Sequence, residues 1–169
     1  MPACTSLQSR AVAATPAVRT LERADVPHTL HPYDAGHPSD TGYGEAAVAA
    51  LGVDPRQLFK TLVTVVDGAL TVAVVPVATT LDLKALAAAV GGRKAAMADP
   101  ADAERATGYV RGGISPLGQR RSLPTVVDES ASGFATVLVS AGRRGLQVEL
   151  PPADLVRLTS ACTAPIGRC

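Results

Sequence analysis

The chain has no tryptophan, and aromatic residues make up only 3% of it. A core of ordinary packing density must then be filled by Val, Leu and Ala, which dominate a hydrophobic fraction of 47%. No stretch approaches the roughly 18 consecutive apolar residues of a membrane-spanning helix, so no membrane partner is expected. Charge of one sign is missing too: 16 Lys and Arg against 15 Asp and Glu leave a formal net charge of +1. A nucleic acid would have to be gripped by a local basic patch, since the surface as a whole does not attract it. Cys4, Cys162 and Cys169 lie near the ends, none in a CxxC and none beside a base in sequence, which argues against a disulfide framework and against a catalytic thiol. GxSxG, HExxH and Walker loops are absent. His28, His31 and His37 show no compact ligand spacing with Cys or carboxylates, so neither a metal nor another cofactor is expected. Residues 1–14 lack the apolar centre of a secretory signal, and the expected location is the cytoplasm.

What is present is organised as one domain. The 169 residues suffice for a single real core. Residues 1–14 are small, polar and aperiodic and read as a disordered extension, residues 15–160 as the domain, and residues 161–169 as a tail. Thr15-Pro16, Asp54-Pro55 and Asp99-Pro100 each pair an N-capping side chain with proline at the first helical position. The pattern predicts a first helix ending near Asp25, a strand over about 28–33, a Gly/Pro/Asp/Ser loop over 34–42 and a helix over about 44–51. Leu58–Val66 and Ala69–Val77 are β-branched runs joined by Asp67-Gly68, a two-residue hairpin signal. Helices follow over 81–90, closed by Gly91-Gly92, and from Pro100 to Gly108. Strands are expected at 125–128, 135–140 and 146–150, with a turn at Gly142–Gly145 and a last helix over 152–159. Hairpins outnumber strand–helix–strand crossovers, which predicts an α+β fold with a mixed, mostly antiparallel sheet.

Two features point to chemistry. Lys60 lies in Leu58-Phe59-Lys60-Thr61-Leu62-Val63, where strand alternation puts it on a face with Leu58 and Leu62. An ammonium on an apolar strand face either snorkels to water or reaches into a pocket to hold an anionic or carbonyl oxygen. The second feature is Gly112-Gly113-Ile114-Ser115-Pro116-Leu117-Gly118, a stiff loop whose backbone N–H groups can approach an oxyanion or phosphate. Arg120-Arg121 and Arg143-Arg144 are solvated charge on their own, and phosphodiester contacts if they flank one site. Tyr33 and Tyr43 border the 34–42 loop.

These residues in this order resemble the YbaK/EbsC family of free-standing aminoacyl-tRNA deacylases. The resemblance runs from Thr15 to about Leu158 through Tyr43-Gly44-Glu45, Phe59-Lys60-Thr61-Leu62, Val75-Pro76-Val77, Leu81-Asp82-Leu83-Lys84, Met97-Ala98-Asp99-Pro100, the GGISPLG loop and Ser140-Ala141-Gly142-Arg143-Arg144-Gly145. It implies a β-barrel-like mixed sheet flanked by helices, similar to the editing domain of prolyl-tRNA synthetase. It also implies removal of cysteine from mischarged tRNA(Pro) by the substrate's own thiol, with no cofactor and with prolyl-tRNA synthetase as a candidate partner presenting the tRNA. Carried over by motif, Lys60 with the backbone of Gly112 and Gly113 would be catalytic. Tyr33, Tyr43, Thr61, Ile114, Ser115, Pro116 and Gln147 would bind substrate, and Arg120, Arg121, Arg143 and Arg144 would bind RNA. One departure is Gln147, where many relatives carry Asp two residues before the glutamate of the strand. A deacylase of Ala-tRNA(Pro) and a non-catalytic tRNA- or synthetase-binding module are the alternatives.

Overall fold

A computed structural model describes residues 15–36 and 42–169; the proposed extension with Cys4, and His37 with most of the 34–42 loop, lie outside them. Helix α1 (Pro16–Arg23) starts as its sequence requires: the Thr15 side chain accepts from the Val18 amide at 3.2 Å and Pro16 occupies the first turn. It buries Ala17, Val18 and Leu21. Strand β1 (Thr29–Pro32) leads to α2 (Tyr43–Leu51), which ends on a left-handed Gly52. The hairpin β2 (Phe59–Val66) and β3 (Ala69–Pro76) turns at Asp67-Gly68 and pairs in register from Phe59–Pro76 to Val66–Ala69. Then come β4 (Thr80–Leu81), α3 (Leu83–Ala89), β5 (Ala95–Met97), α4 (Pro100–Thr107) and β6 (Thr125–Asp128). A 3-10 turn (Glu129–Gly133), β7 (Val137–Arg143), β8 (Leu146–Leu150), α5 (Pro152–Thr159), β9 (Cys162–Ala164) and β10 (Gly167–Arg168) complete the chain.

The strands form a five-stranded sheet in the order β5-β2-β3-β6-β9, an antiparallel sheet β1-β8-β7, and a β4–β10 pair. Among the described strand pairs only β3–β6 and β6–β9 are parallel, beside the isolated parallel bridge of Leu58 to Leu138. The two larger sheets meet where Leu58 bridges Leu138 and the Leu138 amide donates to the Gln57 carbonyl at 3.0 Å. This gives the mixed, mostly antiparallel α+β architecture expected, with no closed barrel among the described residues. The apolar run of β3 from Val72 to Pro76 follows from burial on both faces. Val72 and Val74 pack with Val127, Val139 and Val148 between the sheets, while Ala73 and Val75 pack beneath α3 with Leu86 and Ile166. Fully burying each such side chain is worth about 1.5–3 kcal/mol, which is how a core so poor in aromatic residues holds.

Residues 161–169 are strands β9 and β10 here, where a tail was expected. The Asp128 carboxylate explains this: one oxygen accepts the Ile166 and Gly167 amides at 3.0 and 2.7 Å, and Ile166 is fully buried. Strand β5, β4 and the 3-10 turn were not read from sequence either. Strand β7 begins at Val137, not Ala135, and runs on to Arg143 through a bulge after Ser140.

Across β1 and β8, Glu149 accepts from His31 Nε2 at 2.8 Å and from the Thr136 hydroxyl. The Thr136 bond first and His31 second hold the Glu149 carboxyl below its ordinary value of 4.5. A carboxyl depressed in the folded state stabilises the protein above its unfolded pKa, and that contribution is lost as pH falls through the folded value. Glu149→Gln should therefore lower stability at neutral pH and flatten its decline from about pH 4.5 downward, read by urea denaturation across that range. Parallel acid limbs in the two proteins would contradict the assignment.

Candidate active site

The outer edge of β2 sets the position of the site. Toward its C-terminal end β2 pairs with β5 over Thr64–Val66, and the Ala98 amide donates to the Val63 carbonyl at 3.1 Å. At its start Leu58 bridges β7. Between these points no strand covers the edge among the described residues, and a cleft of about 560 Å³ opens there. Leu58 to Val63 line it consecutively, both alternation faces included, because the cleft runs along the strand's edge.

Lys60 lines the cleft half-buried, and its Nζ donates to the Thr79 carbonyl at 2.9 Å. It does not snorkel along the surface: the loop after β3 anchors the ammonium and leaves two N–H groups for a ligand. Thr61 Oγ1 and Gln147 Oε1 are buried without a hydrogen-bond partner among the described residues, and both residues line the cleft. Gln147 Nε2 donates to the Tyr33 hydroxyl at 3.4 Å, so its carbonyl oxygen is the end left to accept. Two orphaned polar atoms in one cleft indicate room for a polar ligand, since a buried group left unpaired costs about 1–3 kcal/mol.

The glycine loop forms another wall. Gly112 lines the cleft at φ +85°, and a Cβ built on it would lie 2.7 Å from the Tyr43 ring. Tyr43 is thus pressed between the Gly112 backbone and the Arg144 guanidinium, whose centre is 4.9 Å from the ring centroid. Arg144 Nε donates to the Arg111 carbonyl at 2.8 Å, tying the β7–β8 turn to the loop. Below the loop, the Tyr109 hydroxyl donates to the Leu117 carbonyl at 2.6 Å, and burial pushes its pKa up to about 12.

The structure therefore gathers Lys60, Thr61, Tyr33, Tyr43, Gly112, Ile114 and Gln147 around one cleft, with Arg144 on its rim. It does not bring in the rest. The Gly113 amide donates to the Val110 carbonyl and its α-carbon faces the Arg143 and Arg144 backbone. Ser115 is fully buried, its hydroxyl accepting from the Leu117 amide, and Pro116 is buried beside it. Arg120 and Arg121 donate their amides to carbonyls at the C-terminal end of α4, outside the cleft lining, where cations suit the helix dipole. Arg143 is exposed on the β7–β8 turn. Arg111, Glu104 and Ser140 also line the cleft and were not singled out from sequence. Arg111 adjoins the glycine loop and is the one whose position carried a signal. Among the described residues no histidine or cysteine lines the cleft, and the Ser140 hydroxyl accepts from the Gly142 amide at 3.3 Å with no described base beside it.

Comparisons with known proteins bear on this site. The aminoacyl-tRNA editing domain model matches residues 38–158. A curated protein of Enterococcus faecalis (strain ATCC 700802 / V583), "Putative Cys-tRNA(Pro)/Cys-tRNA(Cys) deacylase EbsC", is 40% identical over 153 residues, 90% of this chain and 92% of its own. A solved structure described as that of "a putative trans-editing enzyme for prolyl tRNA synthetase" superposes with a TM-score of 0.77 at 26% identity, over 97% of this chain and 99% of its own. Hypothetical protein APE2540 shares the fold with a TM-score of 0.79 at 23% identity, over 90% and 99% of the two chains. No described helix is long and apolar enough to cross a membrane.

Proposed function

The chain belongs to the aminoacyl-tRNA editing domain family, and we propose that it clears cysteine from mischarged tRNA(Pro) through the substrate's own thiol. It is an aminoacyl-tRNA deacylase. The observation that carries the finer reading is a cleft that, among the described residues, holds an anchored cation and unpaired polar atoms but no His or Cys to make a base–nucleophile pair. A site of this kind positions and polarises; the nucleophile comes with the substrate. The thiol sulfur attacks its own ester carbonyl, the sulfur–carbon bond forms, and the carbon–oxygen bond to the terminal ribose breaks. The thiol proton ends on the ribose oxygen, leaving free tRNA and a cyclic thioester. Oriented intramolecular attack gains from proximity, and Lys60 supplies positive charge where the oxyanion and the RNA 3′-end would lie. Arg144 on the rim, with Arg143 exposed on the neighbouring turn, would take phosphates of the incoming strand. With a net charge of +1, the chain holds RNA by that local rim, and prolyl-tRNA synthetase is the partner that would select the tRNA.

The neutral Gln147 favours one second reading, an alanine-clearing enzyme that uses water. Single-turnover deacylation of Cys- and Ala-charged tRNA(Pro), by this chain alone and with prolyl-tRNA synthetase added, separates the readings. Fast release from Cys-tRNA(Pro) by the chain alone is expected. Preference for Ala-tRNA(Pro) would establish the second reading, and no release of either would leave a binding module.

A further inference from the structure

Backbone groups of alternate residues in a strand point to opposite edges. In β2 the even residues face β3: the Leu58 carbonyl accepts from the Val77 amide at 2.8 Å. The odd residues face the other way: the Gln57 carbonyl accepts from Leu138 and the Val63 carbonyl from Ala98. Thr61 falls in step with Gln57 and Val63. Its N–H and C=O therefore point off the open edge, into the cleft, at the register where no strand pairs with β2 among the described residues. Its hydroxyl is the same residue's orphaned polar atom. A strand edge left bare inside a protein's main cleft is a docking edge, because uncovered backbone groups otherwise go unpaired.

We propose that this edge is the seat of the aminoacyl group, which lies against Thr61 as a one-residue antiparallel partner. An aminoacyl ester carries an α-ammonium and a carbonyl on one residue, the two groups that a hydrogen-bonded antiparallel pair exchanges with its opposite residue. The Thr61 N–H donates to the ester carbonyl oxygen and the Thr61 C=O accepts from the α-ammonium. The inference rests on the deacylase reading and extends it. Thr61 becomes the backbone donor that stabilises the oxyanion, a part for which the sequence had offered the glycine loop. Recognition through backbone groups common to every amino acid leaves side-chain discrimination to the rest of the cleft. A charged tRNA whose amino group is acylated keeps an N–H for the second bond but loses the charge that strengthens it.

The Thr61 N–H makes no ladder bond, so it can be removed with the β2–β3 hairpin intact. Replacing Thr61 by its α-hydroxy acid analogue puts an ester oxygen in place of that N–H, and Thr61→Pro removes it by another route. Deacylation of Cys-tRNA(Pro) at saturating enzyme is expected to fall about 100-fold or more in both, with unchanged melting curves. In parallel, 15N-threonine-labelled protein is titrated with 3′-cysteinylamino-3′-deoxyadenosine, an uncleavable amide. The Thr61 amide resonance is expected to move downfield on binding. An ester variant within about threefold of the unmodified rate, or a Thr61 amide unmoved at saturation, overturns the proposal. If the unmodified chain cleaves no charged tRNA, the deacylase reading fails by itself, and the titration still decides whether this edge binds an aminoacyl group.

Discussion

Lys60→Ala is expected to reduce deacylation about 100-fold or more while leaving the protein folded. Lys60 is half-buried in the cleft, and its one hydrogen-bond partner among the described residues is the Thr79 carbonyl. Losing that bond costs about 1 kcal/mol, small beside the stability of a domain with three buried clusters. The activity loss has another source. In a low-dielectric cleft an ammonium aimed at a developing negative charge is preorganised, and alanine leaves water in its place. Lys60→Arg keeps the charge but moves it, so partial activity is expected from it. Near-normal rates from Lys60→Ala with an unchanged melting curve would remove Lys60 from the mechanism.

Gly112→Val ranks second. At φ +85° a β-branched side chain strains the backbone, costing about 1–2 kcal/mol. Its Cβ also meets the Tyr43 ring at 2.7 Å, so the ring must leave its seat under Arg144. A displaced wall misplaces the substrate, and a shift of about 1 Å costs on the order of 100-fold in rate. The expected signature is a rate loss far exceeding the stability loss. Gly113→Val should do the reverse, because its Cβ would strike the backbone of Arg143 and Arg144 and unseat the turn. Equal effects of the two substitutions on rate and stability would show that the Tyr43 contact has no special part.

The legible portions of the fold are those with local chemistry strong enough to act alone. The Asp67-Gly68 hairpin and α5 match their expected bounds closely, because turn residues and an N-terminal proline fix them regardless of context. Strands β9 and β10 escaped because five residues carry no periodicity, and their order comes from the Asp128 carboxylate, distant in sequence. In the site, Lys60 was legible as a charge in an apolar run. The glycine loop was legible as a loop, but composition does not say which residues face outward, so Ser115 and Pro116 were expected at the substrate and are buried instead. The bare edge of β2 was invisible for a deeper reason: it is defined by pairings that stop short, with β5 at Met97 and with β7 at the single bridge to Leu58. The Tyr43–Arg144 stack joins residues far apart in sequence and was equally out of reach.

The central claim is that the nucleophile belongs to the substrate, and one pair of rates tests it. Cysteine and serine esters differ by one atom, and a cleft that admits the first cannot easily exclude the second by shape. Discrimination must then come from the thiol's attack on its own ester. Single-turnover rates on Cys-tRNA(Pro) and Ser-tRNA(Pro) at saturating enzyme should differ by about 100-fold or more in favour of cysteine; comparable rates on the two would contradict the account.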